Sequence, residues 1–192
     1  MATKTSDLLT AAAPATVAVV RGISDDQLDL PTPCREYAVH ALLDHLFQVV
    51  VNFQELAAKR AVDWSVQPDS RTDGWRDRFA AETDRVIRAW SEPSALVGVS
   101  PGMGLPQQVV GGMVLLDLTV HGWDLARATG QPFRADPTVV ADLLDLAAML
   151  GPTARQQGVF GAVVDLPTDS VDPFDRLLGA TGRDPAWTPD QR

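Results

Sequence analysis

The stretch Met113-Val114-Leu115-Leu116-Asp117-Leu118-Thr119-Val120-His121-Gly122-Trp123-Asp124-Leu125-Ala126 is apolar around nearly the whole helical wheel, yet it carries three ionisable groups. A helix that is hydrophobic all round is a buried one. The stretch therefore predicts the central helix of an all-α fold. Asp117, His121 and Asp124 are spaced by four and then three residues, which puts them on one stripe. Buried charges are costly unless paired or bound to a metal. Two readings stay open at this point: a divalent metal ion on the stripe, or a plain ion pair between Asp117 and His121.

Working outward, this helix spans about Gln107 to Thr129, with Gly130 placed for a C-terminal cap. A first helix runs from a Ser6 cap to about Val20 and is kinked by Pro14. Ser24-Asp25-Asp26-Gln27 has the form of a capping box, and Leu30-Pro31-Thr32-Pro33-Cys34 must be extended. A second helix covers about Ala38 to Arg60, with Val39, Leu42, Leu43, Leu46, Val50 and Phe53 at helical spacing. After a polar loop over 61–71, a third helix capped by Thr72 or Asp73 carries a core stripe of Trp75, Phe79, Val86 and Trp90. A fifth begins at Asp136-Pro137 and ends at Gly151-Pro152. Phe160 to Leu166 reads as a strand and Asp172-Pro173 as the start of a short helix. The expectation is an up-and-down four-helix bundle over 1–152, with a C-terminal α/β addition over 153–192 packed on it.

Composition narrows the function. The 192 residues, 45% hydrophobic and 21% charged, suit one globular domain. No apolar run approaches the roughly 20 residues of a membrane helix, and Pro14 and Thr16 interrupt any signal-like segment after Lys4. The expected location is the cytoplasm. A net charge of −9 argues against a nucleic-acid partner. The single cysteine, Cys34, leaves histidine and carboxylate as the donors of any metal site.

His45 falls beside Leu42 and Val49 at the edge of the second helix's apolar arc, with Asp44 and Gln48 expected toward solvent. That edge makes it the natural third ligand to Asp117 and His121. Two imidazoles, one carboxylate and an open position match catalytic zinc, and non-haem iron uses the same set. Nickel and manganese fit as well. Against this stand the plain pairings: Asp117 with His121, and Asp124 with Arg127 three residues on. His40, five residues from His45, is expected to be solvated, and Cys34 to be a small packed residue.

Pro31-Thr32-Pro33-Cys34 followed by His45 in Leu42-Leu43-Asp44-His45-Leu46, and then Val120-His121-Gly122-Trp123-Asp124-Leu125-Ala126-Arg127-Ala128-Thr129-Gly130, resembles the DinB-like superfamily. Within it, the sequence is similar to the N-terminal metal-binding domain of mycothiol-dependent maleylpyruvate isomerases, from about Leu8 to Leu178. The resemblance implies a four-helix bundle holding a zinc-like ion through His45, Asp117 and His121. The isomerases usually carry glutamate where Asp117 stands. Tyr37 takes the place of a frequent tryptophan, and Ala38 that of a capping residue.

The resulting expectation is a metal-dependent transferase or isomerase that uses a small thiol such as mycothiol against an electrophilic substrate. Asp124 and Arg127 are the candidates for supporting or substrate-orienting groups, and a homodimer is compatible with the reading. The alternatives are a non-enzymatic, stress-related metal-binding module and a metal-dependent hydrolase.

Overall fold

In the computed structural model, which describes residues 5–66, 72–167 and 172–189, the central stretch forms one continuous helix, Gln107–Thr129. Gly130 ends it in a left-handed conformation (φ 69°), and its N–H returns to the Ala126 carbonyl. From Val110 to Ala126 only Met113 and Asp117 are not fully buried. The helix has the length and mean hydropathy (1.3) of a membrane-crossing segment, contrary to the sequence expectation, but 83% of that window is buried inside the protein.

In chain order the helices are α1 (Thr5–Gly22), α2 (Val39–Ala57), α3 (Trp75–Ser91), α4 (Gln107–Thr129), α5 (Pro137–Gln156) and α6 (Pro173–Ala180). The α1 helix packs on α3 and α4, and α2 packs on the same two, so the order around the ring is α1, α3, α2, α4. This ring sets α2 beside α4, as the expected convergence of His45 with Asp117 and His121 requires, whereas a simple up-and-down order would place those two helices on a diagonal. The α5 helix packs chiefly on α6 and more lightly on α4 and α1. Trp75, Phe79, Val86 and Trp90 are buried in the core, as their stripe predicts.

Several boundaries depart from the sequence reading. Ser6 lies inside α1, with its carbonyl accepting the Thr10 hydroxyl at 2.7 Å, so it does not cap the helix. The α3 helix is preceded by Gly74 at φ 74° and has no side-chain cap from Thr72 or Asp73. Pro152 lies inside α5 and does not end it; the last turn is tied to α6 by Arg155, which donates to the Ala180 carbonyl at 3.1 Å. The Asp136 cap is present, accepting from the N–H groups of Thr138 and Val139. Of the expected polar loop, 67–71 lie outside the described residues.

Among the described residues there is no strand, only isolated bridges between Pro31 and Ala38 and between Val99 and Pro106. Residues 160–166 form no regular element and pair with no strand among the described residues. The Val164 N–H is satisfied by the Gly179 carbonyl at the end of α6 (3.0 Å). Among the described residues the C-terminal addition is therefore helix and coil, not α/β.

Candidate metal centre

Ala38 offers no side-chain cap to α2, and the chain just before it supplies the acceptors. The Leu30 carbonyl takes the N–H of Val39 at 3.0 Å, and the Leu28 carbonyl takes that of His40 at 2.8 Å. The helix start is thereby fixed by backbone. Two turns in, His45 is half-buried, and the Tyr37 ring stacks on it at 5.7 Å between centroids. Gln48, expected toward solvent, is buried, and its amide donates to the carbonyls of Trp64 and Val66 at 2.6 and 3.0 Å.

The α2 and α4 helices run antiparallel. At one end Gln107 donates to the Leu56 carbonyl (2.9 Å), and at the other His45 faces Asp117 and His121. His45 Nε2 lies 3.9 Å from Asp117 Oδ1, and His121 Nε2 lies 3.6 Å from the same oxygen. The two imidazoles meet edge to face at 5.1 Å between centroids. All three donor atoms lie within 4.8 Å of one another. Ligand atoms on a tetrahedral zinc ion at its usual bond lengths are about 3.3 Å apart, so the three donors would draw together to close on an ion. The donor chemistry fits a borderline divalent cation.

The other face of His121 is tied down. Its Nδ1 lies 2.9 Å from Asp124 Oδ2, and Asp124 is fully buried. This fixes the ring with Nδ1 protonated and Nε2 free to ligate, the carboxylate–histidine arrangement that orients metal ligands. Burial pushes the His121 imidazolium pKa down, more than the Asp124 hydrogen bond raises it, so the ring favours its neutral, ligating form.

The partner of Asp124 is Arg183, from the segment after α6. Its guanidinium lies 3.3 Å from Asp124 Oδ2 and donates to the Thr181 carbonyl at 2.8 Å. Burial disfavours the charged guanidinium, and Asp124, Cys34 and Asp117 together more than offset this. Arg183 also donates toward Cys34 Sγ at 3.4 Å. Cys34, Asp124 and His121 thus form a second close cluster. Burial raises the Cys34 thiol to about 11 despite the nearby arginine.

Arg127 is not brought to the cluster. It lies over the Trp123 ring and donates to the carbonyls of Pro185 and Trp187 at 3.2 and 2.8 Å, so its position is that of an anchor for the C-terminal segment. The expected Asp124–Arg127 pair is replaced by Asp124–Arg183. His40 is turned away as well, with Nδ1 at 3.1 Å from the Leu28 carbonyl. Sequence reasoning missed Arg183, which has no periodic pattern around it and lies 59 residues from Asp124.

His45, Asp117 and His121 line a cleft of about 1090 Å³, together with Cys34 and Arg183. The model of the mycothiol maleylpyruvate isomerase N-terminal domain matches residues 9–126. The chain is 32% identical over 171 residues to uncharacterized proteins of Mycobacterium tuberculosis strains CDC 1551 and H37Rv, covering 86% of this chain and 90% of each relative. No solved structure matches.

Proposed function

The chain belongs to the mycothiol maleylpyruvate isomerase N-terminal domain family, and from that premise we propose a metal-dependent transferase or isomerase that uses mycothiol, or a thiol like it, against an electrophile. The observation that carries this reading is the convergence of His45, Asp117 and His121 on the wall of a large cleft. Two imidazoles and a carboxylate leave a coordination position open, as in catalytic zinc sites. Zinc is the proposed ion, with nickel, manganese and iron as alternatives. When bound, such an ion lowers the pKa of a thiol at its open position and so favours thiolate at neutral pH.

The chain's own residues supply the rest. Asp124 holds the His121 tautomer, and Arg183 holds Asp124. Tyr37 covers one face of His45. Burial raises the Cys34 thiol to about 11, which keeps it mostly protonated at neutral pH, and the proposed reacting sulfur is that of the small thiol. The proposed organisation is a metal-binding bundle with the C-terminal residues as an extension that closes over the centre, working in the cytoplasm.

Elemental analysis tests the metal. One divalent ion per chain is expected, reduced in His45→Ala, Asp117→Ala and His121→Ala and unchanged in His40→Ala. Equal metal content in all five proteins would leave only an ion-pair cluster. With cobalt in place of the native ion, mycothiol should produce a sulfur-to-metal absorption band. No band and no heat of binding at millimolar thiol would remove the thiol while leaving the metal.

A further inference from the structure

We infer that the cleft beyond the centre takes an uncharged aromatic α,β-unsaturated carbonyl compound as the thiol acceptor, in preference to a small dianionic acid. This rests on the reading of the centre given above and adds the class of its second substrate.

Polarity falls in one direction along the α2 and α4 walls of the cleft. On α2 the lining residues run His45, Val49, Phe53, one stripe at intervals of four. At the helical rise this stripe is about 12 Å long. On the antiparallel α4 the matching stripe runs His121, Asp117, Met113, with Leu116 beside it. Both walls thus pass from metal donors to apolar side chains. Trp64 meets Phe53 edge to face at 6.0 Å between centroids, yet remains 41% exposed and borders the cleft. An aromatic ring held by its neighbour and left open to a cleft is a surface on which a flat apolar ligand stacks. Gln48 keeps it there by fixing the Trp64 and Val66 carbonyls. Met103 and Met113 add adaptable, polarisable contacts suited to aromatic rings.

Charge points the same way. Outside the metal cluster the charged lining residues are Arg35, Glu36 and Arg183, all on the chain that adjoins the centre. Arg183 is committed to Asp124, and Arg35 is exposed rather than buried. Asp117 faces into the cleft. A dicarboxylate would meet that carboxylate with no buried, uncommitted cation among the described residues to receive it, a costly burial. An uncharged aromatic body gains from the apolar walls instead.

The step balances without further reactants. The thiol sulfur forms a bond to the β-carbon, the π pair moves to the α-carbon, and the proton lost by the thiol finishes there. No leaving group and no oxidant are required.

The test uses metal-loaded, full-chain protein with benzylideneacetone, and fumarate as the dianionic comparison. Calorimetry without thiol should show benzylideneacetone binding at least roughly tenfold tighter than fumarate, and Trp64→Glu and Met113→Glu should each weaken it roughly tenfold by setting a charge in the apolar wall. Met113→Leu should stay within about twofold, since it conserves volume and polarity. With mycothiol added, kcat/KM should follow the same order. Thermal midpoints show that the variants are folded. Fumarate binding as tight as benzylideneacetone, or unchanged affinity in both folded glutamate variants, overturns the inference. Metal content and the cobalt–thiol band are read on the same samples. Intact metal and thiol binding with no affinity for benzylideneacetone sinks this inference alone. Loss of metal and thiol binding with the enone still bound sinks the reading of the centre, and the acceptor role with it.

Discussion

Asp124 is fully buried and serves two partners with one carboxylate oxygen, the Nδ1 of His121 and the guanidinium of Arg183. Its other oxygen, Oδ1, is buried with no partner among the described residues. Removing one member of a buried charged pair leaves the other uncompensated, so Asp124→Asn should cost about 3–5 kcal/mol in denaturant unfolding. It should also weaken metal binding about 10- to 100-fold, because the His121 ring loses the group that orients it. Competition with a coloured chelator reads the second effect, and unchanged affinity would detach Asp124 from the centre. Arg127→Ala, in contrast, should leave metal affinity where it was. Cys34 gives a pH test. Its thiol is raised by burial to about 11 and Arg183 lowers it, so alkylation by iodoacetamide should climb with pH well past 8.5, the ordinary cysteine value. Arg183→Gln should slow it further at pH 8. As the chain has one cysteine, mass spectrometry follows the reaction directly. A rate that levels off near pH 8.5 would mean an exposed thiol. The grouping of these side chains was partly legible: Asp117 and His121 stand one turn apart on an apolar helix, where buried charge calls for a partner. Arg183 was not, because nothing local distinguishes it from a surface arginine.

At the scale of elements, α4 could be read almost to the residue, since an all-round apolar helix followed by a glycine cap has few other solutions. What the sequence does not declare is how close α1 comes. Thr16 donates to the Leu118 carbonyl at 2.6 Å, and a Cβ built on Gly122 would sit 2.3 Å from the Thr16 hydroxyl oxygen and 2.9 Å from the Phe133 ring. Gly122→Ala should therefore force the helices apart and break that hydrogen bond, a loss of about 1–3 kcal/mol. Thermal or urea unfolding measures it, and a neutral or stabilising result would mean that α1 yields freely there. The expected strand at Phe160–Leu166 failed for a related reason. Its apolar spacing suits an extended chain, but a ladder needs a partner strand, and the neighbour available is the end of α6. The Ser6 cap failed because α1 is already helical at Thr5, and the Pro152 stop because α5 runs on to Gln156, its last turn tied to the Ala180 carbonyl by Arg155.

At the scale of the whole molecule, the family match covers His45, Asp117, His121 and Asp124 but stops before the segment that supplies Arg183. That segment is held at three levels: Arg155 to the Ala180 carbonyl, Arg127 to Pro185 and Trp187, and a backbone crossing at Gly161 and Gly182. The crossing is the tightest. Gly182 has φ +86°, a conformation that L side chains rarely adopt, and a Cβ there would lie 2.6 Å from Gly161 Cα. Backbone cannot step aside as a flexible side chain can, so Gly182→Ala must lift the chain between α6 and Arg183. Two consequences follow from one cause: stability falls by about 1–3 kcal/mol through overpacking and backbone strain, and Arg183 loses its registration on Asp124. Metal affinity should then drop in Gly182→Ala by much the same factor as in Arg183→Gln. The double variant Gly182→Ala with Arg183→Gln should show little further loss of affinity, because both changes cut the same link. Additive losses of metal affinity, measured by chelator competition on folded protein, would show that the C-terminal segment supports the centre by some route other than Arg183.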